Sequence, residues 1–463
     1  MNYVSTRGRA PAVSFADAVL AGLAPDGGLY VPETWPQTLN DASFKRRAAA
    51  DLFHRIALNV LNAFSGESVS GDDADALTAD AYKESHWPLE ATPLQQIGPG
   101  QWLLVLFHGP SLAFKDVAMQ LIGSLYDHIL SARDQRLSVV CATSGDTGGA
   151  AVEALKGRER VDLFVLLPKG RVSDVQRRFM TTSAAQNVFA IEIDGDFDAC
   201  QAIVKTLFAD RDFSARARLS GVNSINWARI LAQSVYFHIA ANTLCAPGPV
   251  HFVVPTGNFG DAYAGYVAKR MGAPIGTITL AVNANDILER ALRTGRYERA
   301  AASHATLSPA MDIQVASNFE RILFEALDRD GEHVARLYDR FAQSGGFDIP
   351  PDALAFLRDH FAAQSVTDAE TMATMRAHTE VGRLVCPHTA VALHARTGDA
   401  PAVYLATAHP AKFPDTVEAA TGQRPALPAK CADLFSRTET MHALGADAEA
   451  VKAFIRSRSR AWA

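Results

Sequence analysis

Seven short apolar runs, each closed by a turn containing Gly, Ser or Pro and followed by a segment of helical period, restrict this chain more than any other feature. They are Trp102 to Phe107, Leu137 to Thr143, Val161 to Leu167, Val188 to Ile193, Val250 to Thr256, Ile275 to Val282 and Ala402 to Ala406. Strands alternating with helices build a parallel sheet whose faces are covered, because each crossover lays its helix on the sheet. The predicted class is therefore α/β. In such sheets ligands bind at the carboxyl ends of the strands, so the loops that follow these runs are where chemistry is expected.

The rest of the chain frames that core. Residues 1–95 lack a strong strand pattern and predict a mostly helical N-terminal unit, in which the acidic stretch Gly66 to Tyr82 separates two helical segments. Glu289 to Thr379 reads as a charged, largely helical insertion, and Ala419 to Ala463 as further helix ending in the basic residues Lys452, Arg456, Arg458 and Arg460. At 463 residues the chain is long enough for more than one core. With 44 Lys and Arg against 50 Asp and Glu, the net charge of −6 provides no positive field for nucleic acid or an anionic membrane. Cys141, Cys200, Cys245, Cys386 and Cys431 are odd in number and scattered, which excludes a disulfide framework and a zinc module. No signal-like start or membrane-length apolar run is present, and the expectation is a soluble cytoplasmic protein without metal.

Four loops carry candidate chemistry. After Val250 to Thr256 comes Gly257-Asn258-Phe259-Gly260-Asp261 and a helix from Ala262 to Met271. Two glycines at a strand-to-helix turn let backbone amides converge on an anion, with the helix dipole adding to the field; a plain tight turn has the same signature. After Leu137 to Thr143 comes Ser144-Gly145-Asp146-Thr147-Gly148, whose hydroxyls and amides suit a carboxylate and would serve equally as N-caps. In His108 to Asp116, Lys115 follows small and aromatic residues that could desolvate its amine and lower its pKa toward that of a nucleophile. The fourth, Thr407 to Phe413, offers a hydroxyl, His409 and Lys412 without fixing a reaction.

A phosphate cradle, a carboxylate loop and a desolvated lysine on one parallel sheet are the parts of a pyridoxal phosphate enzyme. The runs Ser5 to Gly8, Gly22 to Pro32, His108 to Asp116, Thr143 to Gly148, Pro168 to Ser173, Asn223 to Arg229, Pro255 to Asp261 and Thr407 to Phe413 resemble the threonine synthase family, in the family's order. The resemblance implies the tryptophan synthase β-subunit fold, called fold type II, with an N-terminal extension. It implies a large cofactor domain from 96–135 and 215–425, a small mobile domain over 136–214 that binds the substrate carboxylate, and a helical tail over 426–463.

The resemblance also implies the reaction, conversion of O-phospho-L-homoserine and water to L-threonine and phosphate. By motif position, Lys115 would carry pyridoxal 5'-phosphate, and Gly257, Asn258, Phe259, Gly260 and Asp261 would surround its phosphate. Thr407 would face the pyridine nitrogen, Ser144, Gly145, Asp146, Thr147 and Gly148 would hold the substrate carboxylate, and Asn223, Ser224 and Arg229 would hold the substrate phosphate. Two departures from the family pattern, Cys386 before Pro387-His388-Thr389 and Ala392 where glycine is common, keep His388 out of the expected site. Lys169, Arg171, His409 and Lys412 have no assigned role, and monomer or homodimer is undecided. Two other functions use the same residues: a phospho-lyase or dehydratase that stops at elimination and releases 2-oxobutyrate, and a non-catalytic binder of cofactor or phosphate.

Overall fold

All seven apolar runs form strands, because each is a β-branched or leucine-rich segment flanked by turn residues and buried on both faces. The computed structural model describes residues 1–36, 39, 49–87, 91–244, 246, 248–395 and 401–462. The strands divide between two sheets. A six-stranded sheet runs in the order Phe361–Ser365, Ile275–Val282, Val250–Pro255, Ala402–Ala406, Gln101–Val105 and Leu94–Gly98, parallel except for the last edge strand. A five-stranded sheet runs His442–Gly445, Val188–Asp194, Val161–Pro168, Leu137–Ala142 and Leu219–Ser220, parallel throughout.

Helices fill the space between and around the sheets. Lys115–Ala132 and Trp227–Thr243 are buried along most of their length, which is why their sequences are apolar all round rather than striped. Both begin at the cleft end of the large sheet, so their first residues, Lys115 and the Asn226-capped Arg229 turn, face the same space.

The structure differs from the sequence expectation where strands are short or polar. Leu94–Gly98 carries the exposed Gln95 and Gln96 and has no apolar run, so the expected boundary at residue 95 falls inside a strand of the large sheet. Phe361–Ser365 is an edge strand within the region expected to be helical. In residues 426–463, expected as a helical tail, His442–Gly445 instead extends the small sheet. The helix that follows, Ala448–Arg458, buries Val451 and Ile455 in the core of that sheet. The small unit thus extends beyond 136–214 at both the Leu219–Ser220 strand and the C-terminus.

The N-terminal unit contains the helices Phe15–Ala21, Ala49–Ser65 and Gly71–Ala81, and also a three-stranded antiparallel sheet of Asn2–Ser5, Val13–Ser14 and Tyr30–Pro32. The acidic stretch expected as a separator is itself helical. Ser70 accepts from the Asp73 amide as N-cap, and Asp72 and Asp73 lie in the first turn, where carboxylates favour the helix dipole. Cys141, Cys200, Cys386 and Cys431 are buried and unpaired, and Cys245 lies outside the described residues. The basic cluster near the C-terminus is partly neutralised: Lys452 pairs with Asp210 and Glu449, and Arg460 with the buried Asp162. Among the described residues no helix is long and apolar enough to cross a membrane, and no His, Cys, Asp and Glu cluster could hold a metal ion.

Candidate active site

The expected loops from both sheets meet at one cleft. Lys115 opens its helix at the end of a loop stapled to the Thr407 loop: the Phe114 amide donates to the Thr407 carbonyl at 2.8 Å, and the His409 amide to the Leu112 carbonyl at 3.0 Å. Asp116 tightens the same loop by accepting from the Ser111 hydroxyl and amide at 2.6 and 2.9 Å. The lysine is thereby held on rigid backbone beside Thr407, which is also buried.

Across the cleft, Asp146 begins the helix Asp146–Leu155 of the small sheet. Its carboxylate lies 3.6 Å from Lys115 Nζ and 2.9 Å from the ammonium of Lys412, which is completely buried and also donates to the Ser111 carbonyl at 2.8 Å. Gln176 Nε2 donates to the same carboxylate at 3.0 Å. Burial pushes the Lys115 amine down to about 8, with Asp146 opposing the shift and Arg229 and Lys412 adding to it. Burial would raise Asp146, but Lys412 and then Lys115 outweigh it and hold the carboxyl well below its ordinary range.

This changes how the Ser144 to Gly148 loop can act. Gly145 sits at φ 134°, and a Cβ there would come within 2.4 Å of the Gln176 side chain, so glycine is required. The Gly145 and Gly148 amides both donate to Thr143 Oγ1 at 2.9 Å, which shapes the turn and occupies those two donors. The Asp146 side chain is an acceptor held by ammonium groups. The hydroxyls of Ser144 and Thr147, both half-buried, are the side-chain donors that remain for a carboxylate.

The second glycine loop is built differently. Phe259, in the left-handed region at φ 63°, caps the helix Gly260–Arg270, and its ring is locked between Phe319 and Phe361. A Cβ on Gly257 would lie 3.0 Å from the Ala310 carbonyl oxygen, so the Pro309–Met311 turn closes one wall of this loop. The Asn318 side-chain amide donates to the Ser224 carbonyl at 3.0 Å and the Asn258 carbonyl at 3.2 Å, which fixes the Asn223-Ser224 loop against the Gly257 loop. Arg321, fully buried, donates to Asn318 and to the carbonyls of Tyr30 and Ile225. The Ser5 to Gly8 block serves the same framework, since Thr6 and Arg7 bind Glu320 at 2.6 to 3.0 Å.

Two ionisable groups here are poorly compensated. Arg229 is 3 % exposed, its Nε has no hydrogen-bond partner, and no carboxylate pairs with it among the described residues. Burial brings its guanidinium down to about 10. Asp261 accepts from the Tyr236 hydroxyl at one oxygen and has no hydrogen-bond partner at the other among the described residues; burial raises it to about 7 against the influence of Tyr236, Arg229 and Lys115. Apart from a 3.5 Å contact of Nη1 with the Val222 carbonyl, the Arg229 guanidinium is poorly compensated, and such burial of a cation is costly.

Comparison with known proteins decides the family. Residues 87–403 match the model described as pyridoxal-phosphate dependent enzyme, residues 2–82 that of the threonine synthase N terminus, and residues 388–455 that of threonine synthase, C-terminal. The chain belongs to the threonine synthase family. It is 46% identical to the threonine synthase of Pseudomonas aeruginosa, over 98% of each chain. It is 39% identical to that of Saccharomyces cerevisiae, over 90% of this chain and 88% of the other. The crystal structure of pyridoxal phosphate-bound threonine synthase from Brucella melitensis superposes with a TM-score of 0.92 at 48% identity, covering 99% of this chain and 100% of that one. The yeast threonine synthase structure does so at 0.90 and 37% identity, covering 99% and 98%. The fold is fold type II, the activity is that of a threonine synthase, and the cofactor is pyridoxal 5'-phosphate.

Within this family member, several cleft side chains escaped the sequence reading. Lys412 stood in a recognised block without a role, and only its ion pair with Asp146 gives it one. His388 is 4 % exposed and accepts from the Ala310 amide at 3.2 Å, although the residues around it had argued for leaving it out. Tyr236, Asn318 and Arg321 carry no local sequence signal, since Tyr236 meets Asp261 25 positions away and Asn318 and Arg321, besides binding each other, act on distant backbone carbonyls.

Proposed function

We propose that the substrate is O-phospho-L-homoserine and that the cleft residues divide its binding between two anion sites. The observation that carries this reading is Arg229, a buried guanidinium with an unpartnered Nε at the head of a helix capped by Asn226. A guanidinium fork matches phosphate oxygens, and Asn223 and Ser224 add short donors beside it. The Gly257 to Asp261 loop takes the cofactor phosphate: Gly257 leaves room under the Ala310 wall, and the orphan Asp261 oxygen, near neutrality in pKa, becomes a donor when an adjacent anion drives it to its protonated form. Thr407 provides a neutral hydroxyl for the pyridine nitrogen.

When bound, pyridoxal phosphate supplies an electron sink for charge developing on the substrate carbons. Lys115 is its attachment point and the general base. An amine near 8 is partly neutral around physiological pH, so Lys115 Nζ can take the α-proton and return it. Ser144 and Thr147 receive the substrate carboxylate, while Asp146, with Gly145 and Gly148 shaping its turn, orients the Lys115 amine. Arg229 holds the leaving phosphate in place until the β-carbon has lost its proton, which is the physical need for a second phosphate site. An apolar cluster of Leu112, Val175, Phe179, Cys431 and Leu434 joins the Lys115 loop, the small unit and the C-terminal segment. The Asp146–Lys412 pair joins the small unit, expected over 136–214, to the Thr407 loop across the cleft.

The test is to incubate the cofactor-loaded protein with O-phosphohomoserine and to follow phosphate, threonine and 2-oxobutyrate together. Phosphate and threonine in equal amounts support this reading. 2-Oxobutyrate in place of threonine, or no phosphate release, overturns it.

A further inference from the structure

His388 is a buried polar group in this cleft that the reaction as described does not use. It is the second residue of the helix Pro387–His394, which Cys386 caps through its sulfur and the Thr389 amide. The ring is held on two sides: it packs against Phe413, with centroids 4.9 Å apart, and Nε2 accepts the Ala310 amide proton at 3.2 Å. That hydrogen bond decides the tautomer. An Nε2 that accepts carries no proton, so a neutral ring carries its proton on Nδ1.

Nδ1 is buried and has no hydrogen-bond partner among the described residues. The charged groups that face His388 are Asp146, Lys115 and Lys412, from the small unit, the Lys115 helix and the Thr407 loop. All three line the cleft. Through Nε2 the ring also reaches the wall of the Gly257 loop, since Ala310, whose amide it binds, has a carbonyl oxygen that would be 3.0 Å from a Cβ on Gly257. A buried N–H without an acceptor is costly, and a donor kept in that state at a binding cleft is matched to an acceptor that arrives with the ligand.

We propose that His388, as the neutral Nδ1–H tautomer, is a ligand-binding residue whose Nδ1–H donates to an anionic oxygen of the molecule held between Lys115 and the Gly257 loop. This rests on the reading of the cleft given above. The oxygen belongs either to the cofactor or to the substrate. Burial disfavours a second proton on the ring, with Lys115 and Lys412 adding to that effect against Asp146, so His388 acts as a fixed neutral donor and not as an acid.

Two near-isosteres separate the ring nitrogens. In His388→Asn the side-chain amide stands at the Nδ1 position and keeps a donor there, whereas His388→Gln places its amide at the Nε2 position and keeps only the acceptor for Ala310. Apoprotein of each variant is titrated with pyridoxal phosphate by absorbance, and KM and kcat for O-phosphohomoserine are measured on the loaded protein. The expected result is a loss of about 10- to 100-fold in His388→Gln, with His388→Asn recovering most of it. A loss in cofactor affinity assigns the oxygen to the cofactor. A rise in KM at unchanged cofactor affinity assigns it to the substrate. The proposal is overturned if His388→Gln matches the wild type in both measurements, or if His388→Asn is no better than His388→Ala. Failure of the wild type itself to take up cofactor or form threonine would instead overturn the reading of the cleft.

Discussion

Asp146 and Asp261 occupy equivalent places in the two sheets, yet the protein puts them in opposite states. Each lies after a strand and a glycine turn, in the first turn of a helix, fully enclosed. Asp146 meets the ammonium groups of Lys412 and Lys115 and is held ionised. Asp261 meets a tyrosine hydroxyl and is raised to about 7. A helix N-terminus favours a carboxylate in both places, worth at most about 2 kcal/mol, so it cannot account for the difference. What differs is whether a cation makes direct contact, since burial disfavours the charged form at both.

The largest effect expected from breaking this contrast is at Lys115, the cation that influences both carboxyl groups. Lys115→Ala should lower threonine formation by about 10⁴-fold, the upper end for loss of a positioned base, and should abolish covalent cofactor retention after borohydride reduction. Retained turnover, or a label on another lysine, would remove Lys115 from the centre of the site.

Asp146→Asn should come next, because it strands Lys412 as a buried cation; loss of one partner of a buried pair costs about 3–5 kcal/mol. Its signature is in the pH dependence. A carboxyl depressed by folding stabilises the protein above its unfolded pKa and ceases to do so as pH falls through the folded one. Urea midpoints measured from pH 7 downward should therefore converge between wild type and variant in acid. Parallel curves would mean that Asp146 is not the group Lys412 depends on.

Arg229→Ala should weaken productive substrate binding by roughly 10- to 100-fold without changing the absorbance of the bound cofactor, and Arg229→Lys should recover only part, having charge without the fork. Wild-type kinetics in Arg229→Ala would leave the second phosphate site without its cation.

The smallest change is expected from Asp261→Asn, which keeps an acceptor for Tyr236. Because folding raises this carboxyl, its contribution is present in the protonated form and is lost as pH rises toward about 7. In the apoprotein the variant's stability relative to wild type should be greatest at pH 8, smaller at pH 5, and lost only below the ordinary carboxyl value of about 4. The reverse order would mean that Asp261 is paired with a cation, as Asp146 is.

The amino-acid sequence by itself determined the seven core strands, the places where their loops converge and the glycines of both strand-to-helix loops. Each of these depends on local backbone conformation or on the burial of a continuous apolar run. The family's blocks also brought Lys115, Thr407 and Arg229 into view, since each sits in a short segment of distinctive composition. Only the tertiary structure decided the charge state of the carboxyl groups, the engagement of Lys412, the proton position on His388 and the assignment of His442–Gly445 to the small sheet. The reason is common to all four. Desolvation and pairing depend on which distant side chain lies within about 4 Å, and a four-residue edge strand is stabilised by the neighbour it pairs with rather than by its own pattern.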